Sequence, residues 1–114
     1  MDQRTVERTS QFNRQLKKLG KKHRRLHGIV QECLNDICTD AIPDGDSLTR
    51  LRGLPVFKIR CSTGEDKGLR SGARIIYYKN DSKFVALYIY LKSDRNDISD
   101  KEILKILKSN HLYE

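Results

Sequence analysis

The chain has 114 residues, with 23 Lys and Arg against 15 Asp and Glu, a formal net charge of +8 and a pI near 9.6. That length suits one domain spanning the whole chain, is too short for two, and can bury a core without disulfide or metal staples. No apolar run is long enough to span a bilayer and no secretory h-region opens the chain, so a soluble, cytoplasmic protein is expected, its basic surface suited to a polyanion.

The first predicted element is a short polar strand over Arg4 to Arg8. Ser10 then reads as the N-cap of a helix whose apolar positions Phe12, Leu16 and Leu19 follow i, i+4, i+7 spacing, and Gly20 interrupts it. A second helix carries one stripe, Leu26, Ile29, Val30, Cys33, Leu34 and Ile37, opposite polar Gln31, Glu32, Asn35 and Asp36. The basic run from Lys17 to Arg25 between them reads equally as a solvated helix junction and as a nucleic-acid contact. His23 and His27 share a helical face, but no third ligand has matching spacing, so they read as surface residues and no metal is expected. Pro43, Asp44, Gly45 and Asp46 form a turn cluster.

Three strand-like runs follow: Val56 to Cys61, Ala73 to Lys79 and Phe84 to Lys92. The first two are joined by the glycine-bearing segment from Ser62 to Gly72. The last two are joined by Asn80-Asp81-Ser82-Lys83, which reads as a hairpin. The third run is almost wholly apolar and reads as a central strand. The last helix opens on the capping box Ser99-Asp100-Lys101-Glu102, with Ile98 and Ile103 as its staple and Ile103, Ile106 and Leu107 as its buried stripe. The three cysteines, Cys33, Cys38 and Cys61, are odd in number and include no C-x-x-C, which argues against a disulfide scaffold or zinc site and fits a reducing compartment. The predicted fold is α+β: a small, mainly antiparallel twisted sheet with two N-terminal helices on one face and a C-terminal helix.

Side chains alternate across a strand, so each run splits by parity. One set, Phe57, Ile59, Cys61, Ile75, Tyr77, Val85, Leu87, Ile89 and Leu91, is uncharged and reads as the core face. The other includes Val56, Ile76 and Ala86 with Lys58, Arg60, Arg74, Lys92, Tyr78, Tyr88 and Tyr90, and has no acid. The sheet is therefore expected to be one-sided, with a basic, tyrosine-bearing outer face suited to a nucleic-acid backbone. Lys58, Arg60 and Arg74 would hold a phosphate there. RNA cleavage through its own 2′-hydroxyl needs that charge stabilisation, together with proton removal from the 2′-oxygen and proton delivery to the leaving 5′-oxygen. Tyr88 and Tyr90 would stack bases, or serve packing alone. On composition alone, a solvated basic face stands slightly ahead of a catalytic one.

The segment Leu51-Arg52-Gly53-Leu54-Pro55-Val56-Phe57-Lys58-Ile59-Arg60, followed by Ser71-Gly72-Ala73-Arg74-Ile75-Ile76-Tyr77-Tyr78, resembles the central block of the RelE/ParE toxin superfamily. Tyr90 to Ser99 resembles its RelE-like and HigB-like branch, and Phe12 with Leu16-Lys17-Lys18-Leu19 fits as well. The resemblance implies the toxin of a bacterial type II toxin–antitoxin system: an endoribonuclease that needs no metal or cofactor and cuts mRNA in the ribosomal A site. It implies a cognate antitoxin as partner, and contact with DNA only through the antitoxin complex. By position it assigns catalytic work to Lys58, Arg60, Arg74, Lys92 and Arg95; RNA contact is expected at Lys67, Arg70, Tyr78, Tyr88 and Tyr90. Gly68-Leu69-Arg70-Ser71-Gly72 resembles a Gly-Lys-Ser-Gly-Gly element. Two positions depart from the RelE pattern: Ser93 stands where an arginine is expected, and Asn96 to Lys101 holds no tyrosine. The general base is thus left open among Lys58, Asp94, His111 and Tyr113, the last two in a tail expected to be frayed. The alternatives are a ParE-like inhibitor of DNA gyrase and a non-catalytic RNA-binding relic of the fold.

Overall fold

A computed structural model describes residues 4–63 and 72–113. The elements are β1 (Thr5–Arg8), α1 (Ser10–Gly20), α2 (Leu26–Cys38), β2 (Asp46–Ser47), β3 (Val56–Cys61), β4 (Ala73–Lys79), β5 (Lys83–Leu91) and α3 (Asp100–Ser109). The sheet order is β1-β5-β4-β3-β2, with β1 parallel to β5 and the other pairs antiparallel. The fold is α+β, with a mixed, mostly antiparallel five-stranded sheet. No helix among the described residues is long and apolar enough to cross a membrane.

Helices α1 and α2 bury the stripes their spacing predicts. Phe12, Leu16 and Leu19 join Leu26, Val30, Leu34 and Ile37 in one core against the sheet. The N-cap of α1 is Thr9, not Ser10. Thr9 is the extended residue where β1 leaves the sheet. Its Oγ1 accepts from the Phe12 amide at 2.9 Å and donates to the Leu87 carbonyl at 2.8 Å. One hydroxyl thus caps the helix and ties it to β5.

The strand bounds follow the predicted runs within one residue, but the side chains of β5 do not follow simple parity. Ile76 pairs with Tyr88 while Tyr77 pairs with Ala86, so Leu87 is an extra residue: a β-bulge. The bulge reverses alternation along the strand. Phe84, Ala86, Ile89 and Leu91 face α1 and α2, whereas Val85, Leu87 and Tyr90 face the other way. The expected uncharged face Val85–Leu87–Ile89–Leu91 is therefore split between the two sides.

The sheet is also not one-sided. A second core of Leu51, Val56, Ile76, Val85, Leu87, Tyr90, Ile98, Ile103, Ile106 and Leu107 covers the opposite face, with α3 packed there. Its cap is the predicted box: Ser99 Oγ accepts from the Glu102 amide at 3.2 Å, and Ile98 and Ile103 are both buried. The tail is docked instead of frayed. Leu112 and Tyr113 pack on this core, and the Arg52 guanidinium lies 5.7 Å from the Tyr113 ring centroid.

The turn cluster at Pro43–Asp46 runs directly into edge strand β2, where Asp46 pairs with Lys58. Only glycine fits at Gly45, because a Cβ there would lie 2.2 Å from the Lys58 carbonyl oxygen. The Gly45 amide donates to the Tyr77 hydroxyl at 2.8 Å, and that hydroxyl donates to Asp44 at 3.1 Å. The Asn80–Lys83 hairpin is closed by Asn80 Oδ1, which accepts from the amides of Ser82 and Lys83.

Candidate functional site

Strand pairing brings the predicted cations to one end of the second face. Arg60 on β3 stands opposite Arg74 on β4, and Arg74 stands opposite Tyr90 on β5. Lys58 lies two residues from Arg60 and shares its face. Neighbouring strands are about 4.8 Å apart, so the two guanidinium stems rise side by side. Like charges directly opposite on a sheet repel, and an anion between them relieves that repulsion.

The chain leaving β5 folds back over this end of the face. The amides of Asp94 and Arg95 both donate to the Leu91 carbonyl, which makes the reversal. Ile98 is buried in the second core and anchors the return. The segment between them is held internally: Lys92 Nζ donates to the Asn96 carbonyl at 2.6 Å, and Arg95 Nε to the Asp97 carbonyl at 2.8 Å. Arg95 also reaches Glu102 at 3.0 Å and lies 6.0 Å from the Tyr90 ring centroid.

This return places Asp97 among the cations. Its Oδ1 accepts three hydrogen bonds: from the Ile98 amide at 2.8 Å, Tyr90 Oη at 3.2 Å and Lys58 Nζ at 3.4 Å. Burial pushes the Asp97 carboxyl up. The Ile98 amide, the Lys58 charge and the Tyr90 hydroxyl together outweigh it and hold the group below the usual carboxylate range. Tyr90 shifts the other way. Burial first, then the Asp97 charge and hydrogen bond, push its phenol up to about 12 against the pull of Arg74 and Arg95. At neutral pH the pair is an ionised carboxylate and a protonated phenol. Hydrogen bonding to Glu102 raises Arg95, and Arg95 in turn holds the Glu102 carboxyl down.

Of the predicted site residues, Lys58 reaches Asp97, Arg74 and Arg95 lie beside Tyr90, Arg60 stands one strand further out opposite Arg74, and Lys92 lies at the base of the same return. Tyr90 is 1% exposed, so its ring offers no open face to a base; its hydroxyl binds Asp97 instead. Tyr88 is half-buried, with its ring centroid 6.4 Å from that of Tyr90. Tyr78 is not part of the cluster. It sits four residues from Arg74, about 13 Å along the strand, and packs on the α3-side core with its hydroxyl accepting from Asn80. Lys67, Arg70 and the Gly68–Gly72 element up to Ser71 lie outside the described residues.

Asp97 is the residue that sequence reasoning missed. Two residues before the Ser99 N-cap, it reads as part of a polar approach to a helix. The available signal was Ile98, whose burial as a staple residue forces its neighbour onto the sheet. Asp97 borders a shallow open depression of about 650 Å³, also lined by Arg95, Asn96, Ser99 and Glu102. Among the described residues no three His, Cys, Asp or Glu side chains are grouped as metal ligands.

Compared with models of known protein families and with curated proteins, the sequence matches none.

Proposed function

We propose that this chain is a RelE-like toxin of a bacterial type II toxin–antitoxin system. It is a metal-independent endoribonuclease that cleaves mRNA on the ribosome, in the cytoplasm, by attack of a 2′-hydroxyl on the adjacent phosphate. The observation that carries this reading is the opposition of Arg60 and Arg74 across β3 and β4, with Lys58 beside them. Two guanidinium groups and an ammonium on one rigid sheet face are suited to a phosphate whose charge grows in the transition state. The residues that resemble the RelE/ParE block supply this cluster: Leu51 to Arg60 leads into and along β3, and Ala73 to Tyr78 runs along β4. The same resemblance is the basis for a RelE-like fold and for a cognate antitoxin. A chain of net charge +8 is best covered by an acidic amphipathic segment of that partner.

The test is inducible expression in a bacterium of wild type beside Arg74→Ala. Growth arrest by the wild type and its loss in the variant are expected. Arrest by a well-expressed Arg74→Ala protein contradicts the nuclease assignment. Arrest with intact mRNA and stalled replication transfers the protein to gyrase inhibition, and no arrest by the wild type leaves an RNA-binding relic.

A further inference from the structure

We propose that Asp97 is the general base of the cleavage reaction, taking the proton of the attacking 2′-hydroxyl on its Oδ2 oxygen; this rests on the nuclease reading above. The geometry distinguishes the two carboxylate oxygens. Oδ1 is fixed by the Ile98 amide, the Tyr90 hydroxyl and the Lys58 ammonium. Among the described residues Oδ2 carries no hydrogen bond, and the side chain is 61% exposed. One oxygen is thus a fixed hinge and the other an open acceptor, directed by three donors from three parts of the chain. A base must be oriented before its strength matters, and this one is.

The phenol of Tyr90 and the carboxylate of Glu102, which lie against the same return, are committed elsewhere. Tyr90 is buried and held protonated, so it donates. Glu102 is bound by Arg95 and by Ser99. Asp97 is both ionised and open, and it is bound to Lys58 through Oδ1 only. Its basicity also rises when it is needed. A phosphate seated on Lys58 offsets the ammonium charge that helps hold the Asp97 carboxyl down, which moves it toward the pH at which it must accept a proton.

The step balances without a metal or redox partner. Asp97 Oδ2 removes the 2′-proton, and the 2′-oxygen forms a bond to the adjacent phosphorus. The bond from phosphorus to the next nucleotide's 5′-oxygen breaks. That oxygen takes a proton from water, and the hydroxide left behind collects the proton from Asp97. The products are a 2′,3′-cyclic phosphate and a 5′-hydroxyl end. Lys58, Arg60 and Arg74 stabilise the charge on the phosphorane.

The experiment is single-turnover cleavage of mRNA on programmed ribosomes across a pH series, with wild type, Asp97→Asn, Tyr90→Phe and Arg74→Ala. Asn keeps an acceptor for the hinge bonds but cannot take a proton. Asp97→Asn is expected to bind ribosomes within about two-fold of wild type and to cleave about 100-fold more slowly or worse. Its rate is also expected to lose the acidic limb of the wild-type profile. Tyr90→Phe, which disturbs only the hinge, keeps that limb. Wild-type cleavage matched within about three-fold by Asp97→Asn, or an unchanged acidic limb, overturns the role of Asp97 and leaves the nuclease reading standing. No cleavage by wild type overturns both.

Discussion

Arg60 and Arg74 are direct partners across the antiparallel pair β3–β4, so that two arginine side chains rise from neighbouring positions on one face of the sheet. On the proposed function this pair binds the RNA phosphate, because the sheet brings both cationic side chains to one face before the ligand arrives. RNA binding should therefore depend steeply on salt. Each phosphate contact on a single strand contributes about −0.7 to the slope of log K against log salt. Removing either arginine is expected to reduce that slope by about this amount, as fluorescence anisotropy with a short RNA measures. An unchanged slope in both variants would place the phosphate elsewhere.

The buried ammonium of Lys79 makes a different point, because it is a cation of the same strand with a structural task. Its Nζ donates to Asp40 at 2.6 Å and to Asp44 at 2.8 Å, and Asp44 also accepts from Tyr77. Asp44→Ala leaves the phenol without its acceptor and Lys79 with Asp40 alone. The expected cost is about 2 kcal/mol, read from urea unfolding, with RNA binding intact once folded. A loss below about 0.5 kcal/mol would mean that water replaces Asp44 without penalty.

The pH dependence of stability has two limbs of opposite origin. Hydrogen bonding to Lys79 and Arg4 holds Asp40 low, and the Arg95 pair does the same for Glu102. Asp97 is low as well. These groups contribute stability above the ordinary carboxylate range and lose it as pH falls through that range. Tyr90 is raised, so its contribution is complete below the ordinary phenol value near 10 and is lost as pH climbs toward about 12. Buried Tyr77 acts in the same direction. Melting temperature against pH should fall at both ends, and Tyr90→Phe should flatten the alkaline limb. An identical alkaline limb in that variant would deny Tyr90 its role.

Thr9 joins α1 to β5 through one hydroxyl, 3% exposed, that both caps and tethers. Thr9→Ala is expected to cost about 1–2 kcal/mol, whereas Ser10→Ala should cost little. Equal effects in chemical denaturation would contradict the cap assignment.

The physical reason for what the sequence revealed is visible in the same elements. The helical stripes of α1 and α2 and the box at Ser99 are local patterns, and they were legible because one residue and its near neighbours determine them. The β5 bulge was not, because Leu87 becomes an extra residue only when β4 lies beside it. From that register shift came the misassignment of Val85 and Leu87, whereas the expectation of a one-sided sheet failed because α3 and Leu51 cover Val56, Ile76 and Tyr90 on the face that carries the cations. Edge strand β2 was hidden for a similar reason: Asp46 and Ser47 become a strand only by pairing with Lys58 and Phe57. The cations at 58, 60 and 74 were legible by parity because β3 and β4 pair without a shift from Val56–Tyr78 to Cys61–Ala73. Asp97 was not, since its approach to Lys58 spans a sequence separation of 39 residues and depends on how Ile98 packs.

Mapping RNA ends in cells expressing wild type or Arg74→Ala tests the proposed nuclease most directly. New 5′-hydroxyl ends within translated reading frames, in phase with codons, are expected in wild type only. New ends of equal abundance in Arg74→Ala, or no new ends during wild-type growth arrest, would contradict it.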